Sequence, residues 1–185
     1  TPLLVLLILA AVLQLPFPLV EARPNPFYPR MADKAGEWSV LEYPFSRPDR
    51  LLLEMYTQTF HHKYILTGQT SRHVPRMVYE SVPPLAQIEQ ASTRPDIVTL
   101  SPPAQEQLLQ ALRVRSLLFH RDPQQPQRAD RQAQVAQQVL PGNLTRVYSD
   151  THLHAYRLDH IADWLERDGQ TTRSPVPLFL GLNLD

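Results

Sequence analysis

Apolar positions along this chain form one long unbroken block and then a series of short, punctuated ones. Residues 3–13 are all apolar, and Leu15, Phe17, Leu19 and Val20 carry the run past Gln14 with no charge before Glu21. About 20 such residues cross the ~30 Å hydrocarbon layer of a bilayer, so residues 1–22 are expected to be a membrane helix, the end of a longer membrane region. Pro16 and Pro18 should stop that helix near Gln14, because proline removes a backbone donor and clashes with the preceding turn. A signal peptide, for which Val20-Glu21-Ala22 offers a small-x-small site, and a buried core helix are the competing readings. Anchor and signal peptide alike imply export.

Beyond the block the pattern predicts alternating short elements. Residues 23–36, with Pro24, Pro26 and Pro29 around Phe27 and Tyr28, read as a stiff tether. Residues 38–45 (WSVLEYPF) are rich in β-formers and predict a strand; Pro48 and Asp49 then open a helix with Leu51, Leu52, Met55 and Phe60 on one side, and residues 63–66 make a second short strand. Residues 76–90 read as two short helices broken at Pro83-Pro84, and Ser101-Pro102 starts another, directly followed by a buried strand over residues 114–120 (VRSLLFH). Residues 121–128 read as a loop and 129–140 as a Gln/Ala-rich helix stopped by Pro141-Gly142; residues 144–149 and 152–158 alternate around Asp150-Thr151, a hairpin signal. A helix is expected over residues 161–167. The predicted fold is α/β: a small mixed sheet with βαβ crossovers and a C-terminal antiparallel hairpin, preceded by the hydrophobic membrane helix. The soluble domain is placed at residues 37–160, with 161–185 as a C-terminal extension.

Composition narrows the function. Lys+Arg 18 balances Asp+Glu 18, so no net field favours nucleic acid. Cysteine is absent, which removes disulfides, thiolate metal sites and cysteine nucleophiles. Pro 19 against Gly 5 points to many short elements joined by stiff connections.

Several side-chain groups are candidates for chemistry. His152-Leu153-His154 has the His-x-His form in which two imidazoles on one strand face bind one cation, although too little chain follows for the barrel that usually completes such a site. The commoner outcome for such a pair is two histidines on a hairpin strand facing solvent. His61 and His62 sit at a helix–strand junction, where loops at the carboxyl edge of α/β sheets hold ligands; neighbours point apart, and His61 is expected to cap helix carbonyls. Thr70, Ser71 and Arg72, in the loop over residues 67–72, offer hydroxyls and a guanidinium to a phosphate or sugar, without the glycines and lysine of a P-loop. His120 ends an apolar strand, where a hydrogen-bonded structural histidine is the usual finding. Ser71, Ser101 and Ser149 lack a nucleophile elbow. No catalytic residue and no cofactor is implied.

Four blocks, residues 38–45 (WSVLEYPF), 55–72 (MYTQTFHHKYILTGQTSR), 112–120 (LRVRSLLFH) and 147–158 (VYSDTHLHAYRL), resemble in order the soluble C-terminal region of bacterial multi-spanning membrane proteins of the GT-C glycosyltransferase type. The resemblance covers roughly residues 23–158; His62 and Gln69 stand where that pattern has glycine. It implies a non-catalytic extracytoplasmic accessory domain at the cell membrane, held to the lipid bilayer through residues 1–22. Transfer chemistry would belong to the membrane part of the parent protein, with a lipid-linked sugar as a partner. The alternatives from the residues alone are a secreted or singly anchored binding module and a small metal-dependent hydrolase using His152 and His154.

Overall fold

The computed structural model describes residues 24–45, 48–66, 82–94 and 100–168. Its centre is β1 (Ser39–Tyr43), buried along its whole length, as a strand with parallel neighbours on both sides must be. On one side lies β2 (Tyr64–Ile65), in register Ser39 to Tyr64; on the other lies β3 (Val114–His120), with Glu42 opposite Leu118 and Tyr43 opposite Phe119. β5 (Leu153–Leu158) runs antiparallel to β3, with Leu153 opposite His120, and β4 (Leu144–Ser149) closes the hairpin outside it. The five strands are ordered β2-β1-β3-β5-β4, a mixed sheet ending in an antiparallel hairpin.

Six helices accompany it among the described residues: α1 (Phe27–Ala32), α2 (Pro48–His61), α3 (Pro83–Glu89), α4 (Pro102–Ala111), α5 (Pro126–Val139) and α6 (Asp159–Asp168). Prolines occupy the first turn of α3, α4 and α5, where the missing N–H would have had no helical partner and the fixed φ favours the first turn. Neighbouring residues of a strand point to opposite faces. Glu42 accordingly meets α1 and α2 through Tyr28 and Thr57. On the other face Tyr43 stacks on Phe119 with ring centroids 5.3 Å apart, and Glu89 of α3 accepts the Phe45 N–H at 3.1 Å.

Three boundaries differ from the expectation. Within the expected tether over residues 23–36, the described part from residue 24 is not extended: residues 27–32 are helical, and Phe27, Tyr28 and Met31 are buried in the core. The apolar side chains among the prolines gain more from burial than an extended, solvated chain would give them. The helix expected from residue 129 begins at Pro126, because proline at the first turn starts a helix as readily as it breaks one. Residues 161–168 belong to the domain rather than to an extension, since Ile161, Ala162 and Leu165 of α6 are buried. The leader, residues 1–22, lies outside the described residues, and no described helix is long and apolar enough to cross a membrane.

Candidate functional site

The connections from β1 to β2 and from β2 to β3 leave toward opposite sides of β1. In open α/β sheets this places a crevice beyond the carboxyl ends of the strands where the direction switches, between β1 and β3. Glu42, the penultimate residue of β1, lies at the bottom of that crevice and is fully buried. His120, the last residue of β3, brings Nε2 to 2.5 Å from Glu42 Oε2. Tyr28 of α1 donates its hydroxyl to the same oxygen at 3.3 Å, and Thr57 of α2 reaches Oε1 at 3.3 Å while lying 2.9 Å from the Glu54 carbonyl. Burial pushes the Tyr28 phenol far above its ordinary range, and the Glu42 charge pushes it further, so the phenol stays a donor.

His61, at the end of α2, is also fully buried, with Nε2 3.9 Å from Glu42 Oε1, too far for a hydrogen bond. Its Nδ1 accepts the Lys63 N–H at 3.0 Å. The neutral ring therefore carries its proton on Nε2, facing Glu42, and offers no second lone pair to a metal. Burial depresses the His61 pKa to about 4, against the pull of Glu42 and with help from His62 and Lys63, so the ring is neutral near pH 7. It is not a carbonyl cap, as the sequence suggested, but an acceptor.

Above this cluster is a cleft of about 260 Å³. Asn25, Tyr56, Thr57, His120, Arg121 and His152 supply its polar lining, among apolar walls that include Leu53 and Leu153. Arg121 lies 3.5 Å from Asp130, and Asn25 donates to Asp150 at 2.7 Å. Burial would raise the Asp150 pKa, but hydrogen bonds from Tyr148, Asn25 and the His152 and Leu153 N–H groups together bring it below the usual carboxylate value.

The structure separates the sequence candidates. His61 enters the site, while its neighbour His62 is exposed at φ 54°, a left-handed position after the helix. Thr70, Ser71 and Arg72 lie outside the described residues. His152 sits in the turn before β5 and lines the cleft, whereas His154 is buried, its Nδ1 2.8 Å from Ser149 Oγ and its Nε2 3.2 Å from Asp130 Oδ1 of α5. The His-x-His pair thus engages different surroundings, and no group of three or more metal-ligating side chains occurs among the described residues. Sequence reading missed Glu42, whose signal was a single acid inside an otherwise β-forming run, and Tyr28, taken for part of the tether. Compared with known proteins, the chain matches no family model, no curated protein and no solved structure.

Proposed function

We propose that this chain is an extracytoplasmic accessory domain of a membrane-bound, glycosyltransferase-like protein, and that its β1/β3 cleft holds a polar ligand close to the bilayer. One observation carries the reading: Pro24 and Asn25 form part of the cleft lining, only four residues after Val20, the last residue of the apolar run. Four residue steps span at most about 14 Å of extended chain, so a membrane-inserted leader keeps the cleft at the lipid surface. The cleft itself supports ligand binding, being a concave site at the switch point of the sheet with convergent polar groups over apolar walls. The sugar head of a lipid-linked donor fits the family resemblance of the four sequence blocks, and transfer chemistry then belongs to the membrane part of the parent.

Expression of the chain in a bacterial host followed by fractionation tests this. The protein is expected in the membrane pellet after alkaline carbonate washing, with the folded domain cut by protease added outside spheroplasts. Recovery in the soluble fraction, or protection of the domain in intact spheroplasts, contradicts the proposal. Further hydrophobic spans encoded upstream of Thr1 would support a multi-spanning parent; a start codon there would leave the same cleft serving a singly anchored binding module.

A further inference from the structure

The cleft contains more than a binding pocket requires. A histidine that only donates or accepts a hydrogen bond to a ligand does not need a carboxylate sealed from water behind it, and that carboxylate loses several kcal/mol of hydration when ionised. Nothing about β1 demands it either, because Val40, Leu41 and Tyr43 around it are fully buried apolar residues. Glu42 does have one specific effect on His120. By accepting at Nε2, it fixes the tautomer with the proton on that nitrogen and leaves the lone pair on Nδ1. Among the described residues Nδ1 has no partner, and the ring lines the cleft. Tyr28 and Thr57 add hydroxyl donors to Glu42, and His61 presents Nε2–H toward it from 3.9 Å.

We infer that Glu42 and His120 form an acid–base dyad in which His120 Nδ1 takes the proton of a hydroxyl or water bound in the cleft. The inference rests on the cleft being a ligand site, and it adds chemistry to that reading. As the hydroxyl oxygen bonds to the electrophilic centre of an acyl or phosphoryl ester, its proton passes to Nδ1. The imidazolium so formed is balanced by Glu42 through Nε2–H, and the proton goes on to the leaving oxygen when that bond breaks. Glu42 is a positioning residue in this scheme, and His120 touches the reacting atoms.

The lone pair can be measured directly with diethyl pyrocarbonate. An unprotonated imidazole nitrogen attacks its carbonyl carbon, and the expelled ethyl carbonate breaks down to carbon dioxide and ethanol. Applied to the full chain in detergent at neutral pH, with modified sites followed by mass spectrometry, the reagent should acylate His120 and leave buried His61 unmodified. Exposed His152 in the same molecule serves as the internal rate reference. Glu42→Gln should slow His120 relative to His152 by roughly 10-fold or more, since the tautomer is no longer held, and Tyr28→Phe should slow it less. Protection of His120 equal to that of His61 in the wild type overturns the inference, as does an unchanged ratio in Glu42→Gln with His61 still protected. If Glu42→Gln exposes His61 and so proves unfolded, the wild-type nitrogen-15 shifts decide: an unprotonated Nδ1 supports the dyad, and an unprotonated Nε2 overturns it. These outcomes do not depend on where the protein fractionates, so failure of the dyad and failure of the membrane proposal are separable.

Discussion

Glu42 has no contact with water, and three groups hydrogen-bond to it: His120, Tyr28 and Thr57. Removing one side of such an arrangement strands the other. His120→Ala should therefore destabilise the domain by about 3–5 kcal/mol, read by urea unfolding, because a buried charge is left with only two hydroxyls. His61 gives the fold an acid limit. Its folded pKa of about 4 lies below the ordinary value of 6.5, so between these values the unfolded chain binds a proton that the folded chain refuses. Its stabilising contribution is complete above pH 6.5 and falls as pH drops toward 4, by on the order of 2–3 kcal/mol. His61→Asn, which keeps an acceptor for the Lys63 N–H, should flatten that part of the stability–pH curve. An unchanged slope would show that other groups set the acid limit.

At the scale of elements, the end of α2 explains a departure visible in the sequence. His62 occupies φ 54° directly after the helix, where glycine avoids the strain that a Cβ meets. His62→Gly is expected to stabilise the domain by about 0.5–1 kcal/mol in thermal or urea unfolding, despite the added freedom of the unfolded chain. The reverse holds at Gly142, at φ 79°, where an added Cβ would collide with the His160 ring. Gly142→Ala should cost about 2 kcal/mol or more. α1 makes the sharpest difference from the sequence expectation. A tether would tolerate Met31→Ala, whereas a core helix should lose about 2–5 kcal/mol, since Met31 is 1% exposed. The hairpin of β4 and β5, the strand β3 and the junction of α2 with β2 were legible because period and turn chemistry are local. α1 was not, because six residues interrupted by Pro29 carry no periodic signal and are helical only through what they pack on. Glu42 was hidden for the same reason: its partners come from residues 28, 57 and 120, and only the sheet brings them together.

For the whole molecule, the entry segment and the cleft form one structure. Asn25 bonds Asp150 in the hairpin turn, Phe27 stacks on Tyr148 at 4.9 Å, and Tyr28 reaches Glu42. The segment from Asn25 to Tyr28 is thus fixed to the cleft wall, and under the membrane proposal the carboxyl edge of the sheet would be the edge turned toward the bilayer. The absence of cysteine permits a clean test, because a single introduced thiol is the only one in the chain. His152→Cys at the cleft and Gln138→Cys near the far end of α5, both exposed positions, would each be labelled with a fluorophore and the full chain reconstituted into liposomes carrying a headgroup-bound quencher. The account predicts substantially stronger quenching at position 152 than at 138. Equal quenching at both positions, stronger quenching at 138, or failure of the chain to associate with liposomes would contradict it.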